Sequence, residues 1–216
     1  ANEFALAWET VTNDREDFVT EAILEMQREL ASVGRETQVQ VGLEDFVGAF
    51  KTLAPDEDQR WLMWVLVWDP GEARWMAGEM LTMPFGALGG VLAWWRIATA
   101  LRTILRRVFE LVLFCYVDDT HLIEPSESAA AAKQLYREVV QMLGWELDQK
   151  KSIPMGCDVI SLGCRLRISP DGVTWSLDED KREEWLRLVD DCLKAGALSA
   201  SQASKMSGKF SFGAQR

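Results

Sequence analysis

LVLFCYVDDTHLI, residues 111–123, is an apolar stretch that two adjacent carboxylates, Asp118 and Asp119, interrupt. The β-branched and aromatic residues before the carboxylates are typical of a buried strand, and a short apolar segment follows them. Two neighbouring like charges repel each other, and burying them without a partner costs several kcal/mol. The stretch therefore predicts a β-hairpin whose turn presents both carboxylates to a divalent metal ion. An ordinary β-turn is the alternative, because Asp is common in turns.

A second unusual carboxylate ends an earlier strand. Val39, Val41 and Leu43 alternate with other residues, which is the period of two of a half-buried strand. Asp45 continues the same face, where the pattern would place another apolar residue. This position predicts a carboxylate at the core-facing end of a strand. A helix cap for the segment that starts near Val47 also fits the sequence.

The rest of the chain alternates between helical and strand patterns, which predicts an α+β fold. Apolar residues at helical spacing predict helices over residues 15–33, 87–109, 128–143, 179–195 and 200–212. Turn residues at 69–71 and 170–172 predict two hairpins, with strands over residues 61–68, 73–81, 159–168 and 173–177. The predicted inner face of the helix over 128–143 is Leu135, Val139, Met142 and Leu143.

Composition limits the classes of function. The apolar and charged fractions, 48% and 26%, are those of an ordinary globular protein, and the apolar runs are far shorter than the ~20 residues that span a bilayer. The single histidine, His121, and four cysteines without Cys-x-x-Cys spacing argue against a zinc site. They fit free thiols in a reducing intracellular compartment, the cytoplasm or nucleus. Because the chain begins at Ala1 and not at Met, we expect a fragment or a processed piece.

The net charge of −11 is unfavourable for binding phosphate groups. Residues 1–60 hold 14 acidic and 5 basic residues, whereas residues 61–216 hold 20 and 18. Between Glu79 and Glu110 the chain has no acidic residue and four arginines: Arg96, Arg102, Arg106 and Arg107. The acidity therefore belongs mainly to the first segment, and it argues against strong binding of nucleic acid without excluding it.

Five short motifs, taken in chain order, resemble those of the palm and thumb of reverse transcriptases. They are Asp45-x-x-x-Ala49-Phe50 (motif A), Pro84-Phe85-Gly86 (motif B), Tyr116-Val117-Asp118-Asp119 (motif C), Lys150-Lys151 after Leu143-Gly144-Trp145 (motif D) and Ser161-Leu162-Gly163 (motif E). The resemblance covers residues 35–216. The Pro-Phe-Gly form, with the Trp185 helix and the segment at 207–209, is most similar to retrotransposon enzymes of the tyrosine-recombinase class.

The resemblance implies a polymerase palm, an antiparallel sheet with helices on one face, with partial fingers and a helical thumb. The expected domains are partial fingers with the N-terminal helix at 1–38, a palm at 39–157 with a finger insertion at about 54–82, a primer-grip hairpin at 158–177 and a thumb at 178–216. We expect this thumb to be truncated. The family's finger strands and their basic pair that grips the triphosphate have no counterpart, since only Arg15, Arg28 and Arg35 precede motif A. No RNase H or integrase-like pattern is recognisable.

The resemblance also implies two-metal nucleotidyl transfer. Asp45 and Asp118 would hold two Mg²⁺ ions, with Mn²⁺ as a substitute, while Asp119 supports them and the backbone carbonyl of Phe46 is a further ligand. Two such ions about 3.5–4 Å apart stabilise the attacking and leaving oxygens of phosphoryl transfer.

A lysine in motif D resembles the one that the family is proposed to use as the acid for departing pyrophosphate. Lys151 or Lys150 occupies this position, and a solvated pair of surface lysines is the alternative reading.

The implied substrates are an RNA or DNA template with its primer and deoxynucleoside triphosphates. A bulky ring at Phe50 would exclude the ribose 2′-OH by contact, and an aromatic residue that fills the core is the alternative. The resemblance assigns the remaining contacts as follows: Phe85 and Gly86 to the templating base and incoming nucleotide, Tyr116 and Val117 to the primer end, and Leu162 and Gly163 to the primer grip.

Three hypotheses about function follow. The first is the palm and thumb core of an RNA-directed DNA polymerase. The second is a degenerate or truncated copy that keeps the fold but cannot polymerise, which the acidic first segment favours and the intact carboxylates oppose. The third is another palm-type nucleotidyltransferase, such as an RNA polymerase or a nucleotide cyclase, against which Phe50 and the Pro-Phe-Gly loop argue.

Overall fold

The computed structural model describes residues 11–214, apart from the side chains of residues 88 and 212–214. The described residues form helices and antiparallel sheets, so the predicted α+β fold class is confirmed. The elements are α1 (Glu16–Ser32), β1 (Val39–Asp45), β2 (Trp64–Asp69), β3 (Arg74–Glu79), α2 (Leu88–Val108), β4 (Val112–Tyr116), β5 (Asp119–Pro125), α3 (Ala129–Met142), β6 (Ile153–Gly156), β7 (Asp158–Ser161), β8 (Cys164–Ser169), β9 (Gly172–Leu177), α4 (Glu179–Ala195) and α5 (Ala200–Ala214).

Three sheets contain these strands. A four-stranded sheet has the order β4-β5-β1-β6, so β1 lies between β5 and β6. The antiparallel pairing of β1 with β6 is irregular between Val41 and Leu43. β2 and β3 form a separate two-stranded sheet, and β7, β8 and β9 form a three-stranded antiparallel sheet.

The chain divides into two compact units. The first contains residues 44–122 and 134–152, together with the described residues before Glu16. The helix α2 buries four residues at alternating spacings of three and four in this unit, as an amphipathic helix does: Trp94, Ala98, Leu101 and Leu105. The second unit contains residues 16–43, 123–133 and those from 153 onward. None of the helices in the described range combines the length and the apolar character that crossing a lipid bilayer requires.

The strand predicted over 61–68 starts later than the apolar run does. Residues Glu57–Met63 form a 3₁₀ helix, whose start is capped by the Asp56 carboxylate as it accepts a hydrogen bond of 3.1 Å from the Asp58 N–H. β2 therefore begins at Trp64. A side chain that satisfies an N–H at the start of a helix favours the helix over a strand with the same apolar residues.

The prediction of the inner face of α3 is wrong, because the buried face is displaced by about one residue from the predicted one. Met142 is 85% exposed and Leu143 is exposed as well, whereas the buried residues are Ala129, Ala132, Lys133, Tyr136 and Val140. The phase differs because two polar side chains are buried. Lys133 Nζ donates to the backbone carbonyls of Leu43 and Ile153, and the Tyr136 hydroxyl donates to Thr120 Oγ1 at 3.0 Å.

The strand predicted over 159–168 is two strands, and the short strand β6 before it was not predicted. β7 and β8 pair on either side of a turn at Leu162 and Gly163. Both residues have a left-handed backbone, with φ of 51° and 74°. This conformation is unusual for leucine, and for that reason the apolar sequence pattern gave no sign of a turn.

Candidate active site

Asp45 lies at the end of β1 and is buried, as predicted, but the prediction of a half-buried strand is wrong, because Glu44 on the opposite face is completely buried as well. The chain around it is fixed by a second segment of the same unit. The Asp148 N–H donates to the Asp45 carbonyl at 2.8 Å, the Val47 N–H donates to the Glu146 carbonyl at 2.9 Å, and Phe46 forms a β-bridge with Leu147. These bonds hold the middle of the motif D segment, residues 146–148, beside the start of motif A.

Asp118 lies in the turn between β4 and β5, and Asp119 is the first residue of β5. Val117 precedes them with a φ of 56°, a left-handed conformation that is strained for a β-branched residue. Its N–H donates to Asn13 Oδ1 at 3.2 Å, and its carbonyl accepts a 3.0 Å hydrogen bond from Trp94 Nε1. Hydrogen bonds to both the N–H and the carbonyl of Val117 therefore fix the turn that carries Asp118 and Asp119.

The carboxylates of motifs A and C interact electrostatically. The pKa of Asp119 is raised to about 6, chiefly by burial and also by the negative charges of Asp118 and Asp45, against the opposing charge of Lys151. Burial also raises the pKa of Asp118, with a further contribution from the charge of Asp45. Two strand ends that are 73 residues apart in sequence thus create one concentrated negative charge.

Lys151 is the lysine of motif D that contacts this cluster. Its Nζ forms an ion pair with Asp45 Oδ2, and the hydrogen bond to Asp45 raises the pKa of Lys151. The Lys151 side chain is 64% exposed although its partner is almost completely buried. A turn at Asp148 positions Lys151 beside Asp45. In this turn the Lys151 N–H donates to the Asp148 carbonyl at 3.1 Å, and the Lys150 N–H donates to Asp148 Oδ1 at 2.9 Å.

The donor set suits a divalent cation in its chemistry. Carboxylate oxygens are the ligands that Mg²⁺ prefers, and the raised pKa values show that a positive charge would relieve repulsion here. Within the described part of the chain, however, no three Asp, Glu, His or Cys side chains are spaced to hold a metal ion together. The Asp45 carboxylate forms an ion pair with the ammonium group of Lys151 instead.

An aromatic cluster contacts the segments that carry the carboxylates. The Phe46 ring meets Trp94 edge-on with 4.9 Å between centroids, and Trp145 meets both rings at 6.3 and 6.2 Å. Trp94 also donates to Val117, so one side chain contacts motif A and motif C. The sequence interpretation missed this role of Trp94. The helical spacing of α2 was sufficient to bury it, but no sequence signal indicated its hydrogen bond.

Phe50 and motif B are neighbours. Phe50 is only 8% exposed, and its ring meets that of Phe85 edge-on at 5.4 Å. A Cβ atom added to Gly90, near the start of α2, would lie 3.6 Å from the Phe50 ring. Gly86 has a left-handed backbone with a φ of 86°, which glycine adopts readily, and Phe85 is largely exposed. The contacts agree both with a ring at a substrate site and with a ring that fills the core.

Three other predicted site residues have surroundings of their own. Tyr116 ends β4 and is about one third exposed. Leu162 and Gly163 belong to the second unit, where Lys181 Nζ donates to the Leu162 carbonyl at 3.1 Å. A side chain at Gly163 would collide with Lys181.

Arg102 and Arg106 of α2 have partners within the fold. Arg102 forms an ion pair with Asp14. Arg106 Nε donates to the Leu113 carbonyl at 2.9 Å, and its guanidinium lies 4.8 Å from the centre of the Phe114 ring. The basic segment that the sequence offered for contacts with phosphate is therefore partly committed to packing α2 against β4.

The fold is similar to that of solved foamy viral protease–reverse transcriptases. One of these, in complex with an RNA/DNA hybrid, aligns with a TM-score of 0.57 and 15% identity over 80% of this chain and 21% of that chain. Another, the dRH form in complex with double-stranded DNA, aligns with a TM-score of 0.54 and 19% identity over 82% and 28% of the two chains. No family model and no curated protein sequence matches the chain.

These similarities identify the fold as reverse-transcriptase-like. The chain spans between a fifth and a third of the length of those solved chains.

The raised pKa of Asp119 leads to a prediction about stability. Without metal, Asp119→Asn should increase the free energy of unfolding at pH 8 by about 1 kcal/mol, a value kept small because the carboxyl is partly exposed. The folded-state pKa, about 6, lies above the ordinary value, so the folded protein binds this proton more tightly than the unfolded chain does. The wild type therefore regains its stability as the pH falls through 6 towards 4.

Urea unfolding in EDTA at pH 5 and pH 8 measures this difference. Asp171→Asn, in the exposed turn between β8 and β9, is the matched control. An equal gain in both variants, or a larger gain for Asp119→Asn at pH 5 than at pH 8, would contradict the prediction.

Proposed function

We propose that this chain is the palm and thumb of an RNA-directed DNA polymerase from a retroelement, and that it extends a primer by two-metal nucleotidyl transfer. One observation carries the proposal. In a reverse-transcriptase-like fold, Asp45 and the Asp118-Asp119 pair come close enough to raise pKa values within the cluster. The retrotransposon origin and the tyrosine-recombinase subclass belong to the proposal and rest on the motifs alone.

Each residue of the cluster has a role in this proposal. Asp45 and Asp118 would hold two Mg²⁺ ions, with support from Asp119 and the backbone carbonyl of Phe46. When bound, the ions would stabilise the attacking and leaving oxygens. Lys151, whose ammonium group pairs with Asp45, would donate a proton to the departing pyrophosphate.

The proposed substrates are a template with its primer and deoxynucleoside triphosphates. The foamy viral proteins of similar fold were solved with an RNA/DNA hybrid and with double-stranded DNA, which supports a nucleic-acid substrate for this chain. Tyr116 and Val117 contact the primer end, Phe85 and Gly86 the templating base and nucleotide, and the turn at residues 162–163 the primer.

A second candidate is a non-catalytic relative with the same fold. Two observations favour it: the described residues contain no group of three ligands spaced for a metal, and the net charge is −11. The two candidates make opposite predictions in a single assay.

Primer extension on an RNA template with Mg²⁺ and deoxynucleotides distinguishes the candidates. The wild-type chain should extend the primer, and Asp118→Asn should reduce the rate by about a hundredfold or more, because the transition state loses a charged metal ligand. Asp171→Asn, far from motif C in sequence, should retain the wild-type rate. If a longer chain that also includes the upstream finger region binds the primer–template without extending it, the non-catalytic candidate is correct.

Phe50 provides a prediction about the sugar. Phe50→Val should increase ribonucleotide incorporation relative to deoxynucleotides by about tenfold or more, because the smaller side chain leaves space for a 2′-OH. The ratio of kcat/KM values for the two nucleotides measures this effect. Trp145→Phe, a conservative change in the neighbouring aromatic cluster, is the control. Reduced stability with an unchanged ratio would establish Phe50 as a core residue.

The ion pair between Lys151 and Asp45 provides a prediction about metal binding. Lys151→Met should tighten Mn²⁺ binding by about three- to fivefold, because a partly exposed ion pair contributes up to ~1 kcal/mol and its loss leaves Asp45 to the metal. Primer extension should nevertheless be slower, since the proposed acid is missing.

Calorimetry or electron paramagnetic resonance of bound Mn²⁺ measures the affinity. Lys150→Met removes the adjacent charge and keeps the ion pair, so it is the matched control. Equal effects of the two substitutions would show that net charge alone is responsible.

A further inference from the structure

Two side-chain links join motif A to motif D through consecutive residues. Asp45 forms an ion pair with Lys151, whose side chain is exposed. The residue before Asp45 is Glu44, and the residue after Lys151 is Ser152. The Ser152 hydroxyl donates a hydrogen bond of 3.1 Å to Glu44 Oε1. Because the Glu44 side chain is completely buried, this second link lies inside the core.

Arg137 of α3 belongs to the buried link. Its Nε donates to Glu44 Oε1 at 2.7 Å, and a terminal nitrogen of its guanidinium donates to the Ser152 hydroxyl at 2.7 Å. All three residues lie in the same compact unit. The guanidinium is planar and rigid, so two simultaneous bonds fix the positions of both acceptors relative to each other. We call Glu44, Arg137 and Ser152 the Arg137 clamp.

A second basic residue of α3 bonds the residues that adjoin the clamp. Lys133 precedes Arg137 by four positions and therefore lies on the same side of the helix. Its Nζ donates to the backbone carbonyls of Leu43 and Ile153, which are partners in the pairing of β1 with β6. The helix thus fixes the two segments relative to each other at consecutive positions.

Stability alone is a poor reason for the clamp. The Glu44 side chain has no exposed surface, and that of Arg137 is 31% exposed. Replacing a buried ion pair by apolar side chains of similar volume is often neutral or stabilising, because both charges lose their hydration in the core. What a hydrogen-bonded polar cluster provides is one defined arrangement of its members. The residues next to these members are Asp45 and Lys151.

We propose that Arg137 is a positioning residue that holds Lys151 against Asp45. The Lys151 side chain is long and 64% exposed, so its own ion pair restrains it only weakly. The clamp restrains the adjacent residue, Ser152, from within the core. The role of Lys151 as an acid rests on the proposed function, whereas the restraint of the segment can be measured without any reaction.

Hydrogen exchange of the whole chain measures the restraint. The amides of Asp148, Lys151 and Ser152 all donate backbone hydrogen bonds in this segment. Ser152→Ala removes one arm of the clamp and leaves the buried ion pair of Arg137 intact, so the chain should still fold. We expect these three amides to exchange at least tenfold faster in Ser152→Ala, while the amides of α2, in the same unit, change less than twofold.

Ser128→Ala is the matched control, because the Ser128 hydroxyl also donates to a glutamate, Glu124 Oε2 at 2.9 Å. It should leave the exchange at residues 148–152 unchanged. Unchanged exchange in Ser152→Ala would overturn the proposal. A uniform acceleration that includes α2 would overturn it as well, since that result indicates only a less stable fold.

Primer extension tests the effect on the reaction. Ser152→Ala and Arg137→Lys should each reduce kcat at least fivefold and change KM for the nucleotide less than twofold, because the clamp orients the acid and does not contact the substrate. Ser152→Thr, which keeps the hydroxyl, should retain the wild-type kcat. In the Lys151→Met background Ser152→Ala should have no further effect, because the side chain that the clamp positions is absent.

An unchanged kcat in Ser152→Ala, or an equal loss with and without Lys151, would overturn the positioning role. A chain that binds the primer–template without extending it would contradict the proposed function instead. The exchange measurement then decides by itself whether the clamp restrains the segment of Lys151.

Discussion

The repulsion among Asp45, Asp118 and Asp119 is the physical constraint that the first unit has to satisfy. Like charges that are partly removed from water are unfavourable unless a cation or hydrogen bonds compensate them. Compensation here is partial, because Lys151 pairs with Asp45 while the pKa of Asp119 remains raised to about 6. A fold that retains such a cluster sacrifices stability for something that the cluster does. Strained and charged residues commonly mark functional sites for this reason.

The surroundings of the cluster resist that repulsion by packing. Trp94 is buried on α2, meets the Phe46 ring edge-on and donates a hydrogen bond to the strained residue Val117. Next to Asp45, the buried carboxylate of Glu44 receives a 2.7 Å hydrogen bond from Arg137 Nε. The two acidic residues thus have different environments, since Glu44 has a guanidinium partner in the core and Asp45 has a solvent-exposed lysine. Under the proposed function, the exposed Lys151 is the partner that a metal ion would replace.

The sequence predicted those parts of the fold that depend on periodicity. The alternating residues predicted β1 with Asp45 buried at its end, although both faces of this strand are buried, and the apolar run ending in Tyr-Val-Asp-Asp predicted the hairpin of β4 and β5. The predictions from sequence were wrong where a single side-chain contact determines the local structure. The Asp56 cap converts the start of an apolar run into a 3₁₀ helix, and buried Lys133 and Tyr136 turn α3 away from the predicted face. The choice of Lys151 over Lys150 depends on a turn at Asp148 for which the sequence has no periodic signal.

Charge decides how nucleic acid could be held by this chain. The sequence places basic residues on α2 that could bind phosphate in spite of the acidic first segment. In the structure, however, Arg102 is paired with Asp14, and Arg106 donates a hydrogen bond to the Leu113 carbonyl. Two of the four arginines that α2 could offer to phosphate are therefore already engaged within the fold, in a chain whose net charge is −11. Under the proposed function, divalent metal at the carboxylates would change this balance locally, because each ion would bring two positive charges to the point that the proposed substrate's phosphates approach. The proposal therefore implies that binding of the metal and binding of the nucleotide depend on each other.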